Sequence, residues 1–170
     1  MSRGVDVMVI YHPGYDVNHC VYRILNILNS VDNQEIQKDA LRLIDFYYLY
    51  PHLLKSVNLP RPLNRYKDTI SSTPDPFEVT PNPRSLFYEL SRIQDSAMLA
   101  LQQKAIIRLT ASTITLLSDS LPTDLIKTFN NDSFSKSELF KGLVSALPKV
   151  KLEGKTGFKF KSGLMEYRYD

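Results

Sequence analysis

Two histidines, an aspartate and the only cysteine of the chain lie close together near the amino terminus. They are His12, Asp16, His19 and Cys20, within the stretch YHPGYDVNHCVYRILNILN. A zinc site needs three or four such side chains that can converge on the ion. The H-x3-D-x2-H-C spacing matches no strong metal signature, and the sequence has no CxxC and no HExxH. We therefore expect no metal and no cofactor, and we expect Asp16 to cap the following helix.

A cysteine nucleophile is the second chemistry that these residues could support. Adjacent residues of a helix point about 100° apart, so His19 and Cys20 face each other poorly. His12 could approach Cys20 across the turn, but no orienting group or oxyanion element is evident. We predict no catalytic residue and therefore no enzyme. A hydrolase or metal enzyme that uses His12, Asp16 and His19 stays as a competing hypothesis.

Two charged residues interrupt apolar helical patterns. Arg23 lies among apolar residues of the first predicted helix, and Asp45 lies within LIDFYY of the second. A buried charge needs a partner, so we expect these two to meet, although Asp16 or Asp39 would also serve Arg23. Arg42 is three residues from both Asp39 and Asp45 and could pair with either. The predicted structural lock consists of Asp16, His19, Arg23, Arg42 and Asp45.

The stretch DFYYLYPHLL is unusually aromatic. On a helix, these rings would cover much of the circumference, so some would enter the core and some would face outward. Tyrosine is enriched at interfaces because it combines apolar area with a hydroxyl group. We predict a partner interface formed by Phe46, Tyr47, Tyr48 and Tyr50.

The elements that would position these residues are mainly helices. Apolar residues recur at helical spacing from Val21 to Leu28, from about Glu35 to Tyr50, and after Pro83. Seven of the ten prolines lie in residues 51–83, which favours an extended connector. We predict a single domain, 1–170, with two lobes: an N-terminal helical lobe 1–59, a proline-rich connector 60–83, and C-terminal helices with a hairpin over 84–170. A short strand is also expected in VDVMVIYH.

The C-terminal stretch KVKLEGKTGFKFK alternates apolar residues with lysines and has two glycines at its centre. This pattern is typical of a β-hairpin. A helix followed by such a hairpin is the architecture of winged-helix domains, so the predicted fold class is mainly α with a small β part, winged-helix-like. The lysines could contact DNA phosphates, or they could simply be solvated. They are Lys149, Lys151, Lys155, Lys159 and Lys161.

Composition limits the class of protein. The chain has 170 residues, a net charge of +3 and one cysteine, so no internal disulfide is possible. No apolar run reaches the roughly 18 residues that span a bilayer. The sequence has no GxxxxGK[ST] or GxGxxG phosphate loop. We expect a cytoplasmic protein that does not enter a membrane.

Two segments together resemble a known family. The first resembles the pattern Y-x-P-x-x-D-x-x-H-x-x-[FY]-R-x-L, filled by Tyr11, Pro13, Asp16, His19, Tyr22 and Arg23. The second resembles L-R-[IL]-x-D-F-Y-x-x-[FY]-P-x-L-L, filled by Leu41, Arg42, Asp45, Phe46, Tyr47, Pro51, Leu53 and Leu54. Both patterns are those of middle components of prokaryotic ABC-three-component systems. The specific match covers about the first third of the chain.

The resemblance implies a small subunit without catalytic residues of its own. Its partners would be an SMC- or Rad50-like ABC ATPase and an effector, often a nuclease, as in the Lamassu group of defence systems. Foreign DNA sensed by the ATPase would release the effector, and DNA could touch the small subunit through the complex. The resemblance also implies likeness to winged-helix accessory subunits of SMC complexes. The alternative is a stand-alone winged-helix nucleic-acid-binding protein.

Overall fold

The computed structural model describes residues 16–117, 119 and 121–166. The predicted mainly helical fold with a small β part is confirmed. Within the described residues the α-helices are α1 Val17–Ser30, α2 Lys38–Leu49, α3 Lys67–Ser71, α4 Pro83–Gln103, α5 Thr123–Asn131, α6 Glu138–Ala146 and α7 Phe158–Ser162. The strand predicted in VDVMVIYH lies outside this part of the chain.

A small antiparallel sheet joins distant parts of the sequence. Its strands are β1 Glu35–Gln37, β2 Ile107–Leu109 and β3 Thr113–Leu116, in the order β1-β3-β2. Ile36 lies opposite Ile114, and both side chains are buried against the helices. The sequence predicted helix from about Glu35. Those first residues instead pair with a strand almost 80 positions away, and the helix begins only at Lys38.

The segment between α2 and α4 is partly helical. A 3-10 helix over Pro51–Ser56 follows α2, and a second over Arg61–Tyr66 leads into α3. The first half of the predicted connector is therefore not extended. Residues 74–82 contain no helix or strand. The side chain of Asn82 then caps α4 by accepting hydrogen bonds from two backbone N–H groups of its first turn.

The predicted C-terminal hairpin is wrong. Residues 150–157 contain no strand, and Phe158–Ser162 is a short helix. Gly157 lies so close to the carbonyl oxygens of Leu152 and Glu153 that a Cβ would overlap them, so the chain folds back tightly here. Five residues are too few to separate a period of two from a period of 3.6. The winged-helix likeness is not confirmed and stays a prediction.

The core forms where helices from both ends of the chain meet. Helix α1 packs against α4 and α2, and α2 also packs against α4 and α6. The largest fully buried side chains include Phe46, Tyr47, Phe158 and Ile24. Elements of the two predicted lobes therefore share one core, which holds α1, α2 and α4 in fixed register around the polar residues described next.

Candidate functional site

A buried ion pair lies at the centre of the α1, α2 and α4 contact. The Nε atom of Arg23 donates to Asp45 Oδ1 at 2.6 Å, and its Nη2 atom donates to Asp45 Oδ2 at 3.3 Å. Arg23 is 3% exposed and Asp45 is fully buried. Burial alone would lower the pKa of Arg23, but the Asp45 carboxylate raises it above its usual value. This bidentate pair ties α1 to α2.

Gln94 of α4 completes the surroundings of Asp45. Its Nε2 atom donates to Asp45 Oδ2 at 2.8 Å, and its Oε1 atom accepts from Arg42 at 3.3 Å. The residue is fully buried. Sequence reasoning missed Gln94, although a signal existed: it falls on the apolar face of α4 between Leu90 and Ala97. A polar residue on that face needs a buried partner.

Arg42 pairs with neither of the carboxylates that the sequence offered. Its guanidinium forms an ion pair with Asp95 of α4 and donates to the carbonyl oxygen of Ser91 at 3.2 Å. Asp39 instead faces a lysine from the C-terminal end. The partner of Arg42 was not predictable from spacing within one helix, because α4 comes next to α2 only through the tertiary fold. Arg42 thus ties α2 to α4.

The amino end of α1 has a capping role. Asp16 Oδ1 accepts from the backbone N–H groups of Asn18 at 2.7 Å and His19 at 3.3 Å. This satisfies two donors that a helix start leaves unpaired. The His19 side chain is exposed, whereas Arg23 on the next turn is buried. Asp16 therefore caps the first turn of α1, and His19 contributes its backbone N–H group to that cap.

Cys20 is buried beside the ion pair. Its Sγ atom lies 4.0 Å from Asp45 Oδ2, and the side chain has no exposed surface. Burial raises the pKa of the thiol, and the neighbouring Asp45 charge raises it further. The thiolate form is therefore strongly disfavoured. His12, the other member of the conceivable nucleophile pair, lies outside the described residues.

The aromatic set divides between core and surface. Phe46 and Tyr47 are 0% and 1% exposed, so the prediction that they form a docking face is wrong. Phe46 packs against Phe87 of α4 with ring centres 5.5 Å apart. Tyr48 and Tyr50 are partly exposed. The hydrophobic face of α2 includes Phe46 and Tyr47, so these two rings belong to the core.

Asp132 receives hydrogen bonds from the tyrosines of two helices. The Tyr22 hydroxyl donates to Asp132 Oδ2 at 2.8 Å, and the Tyr48 hydroxyl donates at 3.4 Å. Burial, together with the Asp132 charge, raises the pKa of Tyr48 to about 12. Sequence reasoning missed this contact, because Asp132 ends α5 and lies more than 80 residues from either tyrosine. It fixes the segment after α5 against α1 and α2.

The predicted DNA-contacting lysines do not form one row. Lys159 is only 6% exposed and pairs with Asp39 at 2.6 Å and with Glu153, so its prediction as a DNA contact is wrong. Burial alone would lower the pKa of Lys159, but these two carboxylates raise it above its usual value. Lys149, Lys151 and Lys155 are exposed, and Lys161 is partly buried.

Comparison with protein families matches residues 9–170 to the ABC-three-component (ABC-3C) system Middle Component 5. This match covers nearly the whole chain. The chain belongs to this family. No curated protein and no solved structure gives a significant match.

As a Middle Component 5 protein, the chain acts within a multi-subunit system and is neither its ABC ATPase nor its effector. In residues 16–117, 119 and 121–166, no three His, Cys, Asp or Glu side chains are grouped closely enough to share a metal ion. None of the helices in these ranges has the length and apolar character that a membrane crossing requires. The charged groups at this site of the Middle Component 5 protein hold α1, α2 and α4 together.

Proposed function

We propose that this Middle Component 5 protein is a non-catalytic, cytoplasmic bridging subunit. It would link an SMC- or Rad50-like ABC ATPase to an effector nuclease in a Lamassu-like defence complex. Foreign DNA sensed by the ATPase would change this linkage and activate the effector. Family membership supports the accessory role, since a middle component has at least an ABC component beside it.

The observation that carries the proposal is the burial of an ion pair and a thiol between α1 and α2. Arg23, Asp45 and Cys20 are at most 3% exposed and are bonded or adjacent to one another. A substrate reaches such groups only if the three helices separate. The charged cluster near the amino end therefore supports a structural role, and the working surface of the subunit lies outside it.

Capture of the partner tests the proposal. The full chain, tagged, is expressed together with the ABC ATPase encoded next to it and with the neighbouring effector. We expect both partners to be retained at a fixed ratio through a salt wash. A chain that purifies alone and runs as a monomer beside the untouched ATPase would contradict the bridging role.

Nucleic-acid binding is the second candidate function, favoured by the exposed Lys149, Lys151 and Lys155 near the C-terminal end. Helix α4 is followed by the β2–β3 hairpin, which would be the wing if the fold is winged-helix-like. Its turn carries no charge at residues 110–112. The β2 strand of this wing carries the exposed Arg108, so any phosphate contact by the wing would come from that residue, and the C-terminal lysines would have to supply the rest.

A salt titration distinguishes this candidate. If the isolated chain binds DNA, its affinity falls steeply with salt, and the combined change Lys149→Glu and Lys151→Glu weakens it further. The combined change Lys104→Glu and Lys127→Glu, at two exposed lysines outside the predicted set, is the matched control for the same change in net charge. No binding by the isolated chain at low salt removes this candidate.

A further inference from the structure

The loop over residues 74–81 exposes the two most accessible large hydrophobic side chains of the described chain. Phe77 is 107% exposed and Val79 is 95% exposed, so each is as accessible as in an extended peptide. Large apolar groups this exposed, two residues apart, are typical of sites that another protein covers.

Two side-chain contacts anchor this loop to the preceding part of the chain. Nε2 of His52 lies 2.7 Å from Thr80 Oγ1, and Nζ of Lys55 donates to Asp75 Oδ1 at 2.8 Å. Both anchors come from the 3-10 helix Pro51–Ser56, and they grip the loop on either side of Phe77 and Val79. The two apolar side chains are therefore presented between fixed points.

Prolines stiffen the same loop. Pro74, Pro76 and Pro81 fix their own φ angles and restrict the residues before them. Less conformational freedom is then left to lose when a partner binds. The loop therefore combines exposed apolar side chains with a preorganised backbone, and both features favour binding to a partner.

An open cleft lies beside the loop. Its volume is about 460 Å³, and its walls include Leu49, Tyr50, Leu86 and Val79. Phe77 does not line it. The cleft can take a large apolar side chain of a partner. Each protein would then insert an apolar side chain into the other.

The charge of the loop indicates which class of partner it fits. Residues 74–81 carry Asp75 and Glu78 and no Lys or Arg. Lys55 neutralises Asp75, which leaves Glu78 beside the apolar pair. With one uncompensated carboxylate and no Lys or Arg of its own, the loop offers phosphates no cationic contact, which disfavours nucleic acid and anionic lipid as its partner. It complements an apolar protein pocket with a basic rim.

We propose that the 74–81 loop is the element by which this subunit docks on the ABC ATPase component of its system. Phe77 and Val79 enter an apolar pocket of the ATPase, Glu78 faces a Lys or Arg at the rim, and an apolar side chain of the ATPase enters the cleft. This assignment rests on the proposed function, because it takes the ATPase as the direct partner.

The test measures the affinity of the full chain for the purified ATPase component by biolayer interferometry. The combined change Phe77→Ser and Val79→Ser is expected to weaken binding by about thirtyfold or more, as loss of a hot spot does. Its thermal midpoint stays that of the unchanged protein, since both side chains are exposed. Tyr88→Ser with Leu99→Ser is the matched control, because Tyr88 is 68% and Leu99 54% exposed on α4. The control is expected to change affinity by less than about threefold.

A second variant addresses the anchoring of the loop. Lys55→Ala removes the anchor at Asp75 and leaves Phe77, Val79 and the residues that line the cleft unchanged. It is expected to weaken binding by about fivefold through lost preorganisation. Glu78→Lys is expected to weaken binding at low salt more than at high salt.

The outcomes separate this inference from the proposed function. If the unchanged chain binds the ATPase and the Phe77/Val79 variant binds equally well, the docking loop is overturned while the bridging role stands. Loss of binding in the Tyr88/Leu99 control alone would overturn it in favour of α4. The same variants are also measured against the purified effector, and a Phe77/Val79 variant that binds the effector more weakly but the ATPase equally well overturns the ATPase as occupant. If the unchanged chain does not bind the ATPase at all, both proposals fail.

Discussion

At the scale of single residues, the buried polar side chains around Asp45 form hydrogen bonds and an ion pair with one another. Asp45 is fully buried and accepts hydrogen bonds from Arg23 and Gln94, with the Cys20 sulfur close by. Among the described residues, no buried side-chain nitrogen or oxygen lacks a hydrogen-bond partner. Burying charges costs free energy that only such complete bonding offsets. The loss of one member should therefore cost far more than the loss of an exposed ion pair.

Asp45→Ala tests this difference. The change leaves the Arg23 guanidinium buried without its counter-charge, so we expect the free energy of unfolding to fall by about 3–5 kcal/mol. Urea denaturation at neutral pH measures it. The control is Asp95→Ala, which removes an exposed partner of Arg42 and should cost no more than about 1 kcal/mol. Equal losses in the two variants would contradict a central role for the buried pair.

Asp132 gives a pH-dependent prediction. Burial alone would raise the pKa of its carboxyl group, but hydrogen bonds from Tyr22, the backbone N–H groups of Phe134 and Ser135, and Tyr48 lower it below the usual 3.8. A carboxyl group with a lowered folded-state pKa stabilises the fold above its unfolded-state pKa. This stability is lost as the pH falls through the folded-state value.

The Asp132→Asn variant should lack this increment. We expect it to be less stable than the unchanged protein at neutral pH, and the difference to shrink as the pH falls from about 5 to about 2. Urea midpoints measured across that range provide the check. A difference between the two proteins that stays constant with pH would show that the Asp132 charge contributes nothing.

Some of these contacts could be predicted from the sequence, and others could not. Arg23 and Asp45 each stand alone in an apolar helical pattern, and the simplest partner for one is the other. Arg42 has nearby carboxylates in its own helix, yet it binds Asp95, because the contact depends on how α2 and α4 cross. Periodicity places a residue on a face of its helix, but it does not say which helix that face meets.

At the scale of elements, the long helices follow from the sequence and the short elements do not. Val21 to Leu28 and the pattern after Pro83 each extend over several turns, enough to define a period. The strands β1 and β2 have three residues each, and their pairing with β3 depends on distant parts of the chain. At the C-terminal end, Lys159 is buried, where it pairs with Asp39 and Glu153, and Phe160 is exposed, so the expected alternation fails at these two residues.

Gly157→Ala tests the C-terminal turn. A Cβ at this position would overlap backbone carbonyl oxygens of Leu152 and Glu153, which cannot move as a flexible side chain can. We expect a loss of about 1–3 kcal/mol, together with faster amide exchange in residues 150–162. Thr156→Ala, at an exposed neighbouring position, should stay within about 0.5 kcal/mol. A Gly157→Ala variant as stable as the Thr156→Ala control would show that the turn is not packed as described.

At the scale of the whole molecule, the charged residues of the interior are bonded to one another, and the residues available to partners lie on the surface. The interior joins helices from both ends of the chain, and its charged groups are bonded to one another. The 74–81 loop presents Phe77 and Val79, and exposed lysines lie near the C-terminal end. The first third of the sequence predicted the family, because two local motifs suffice for that. It did not predict the docking loop, because exposure of a side chain depends on what the rest of the fold leaves uncovered.

The most direct test of the account asks whether this subunit connects the other two components. The tagged ABC ATPase is purified from cells that express the effector, with and without this chain, and the retained effector is quantified by mass spectrometry. The bridging role predicts that the effector is retained on the ATPase only when this chain is present, and that with the Phe77/Val79 variant the ATPase retains neither this chain nor the effector. Equal retention of the effector in the absence of this chain would contradict the account.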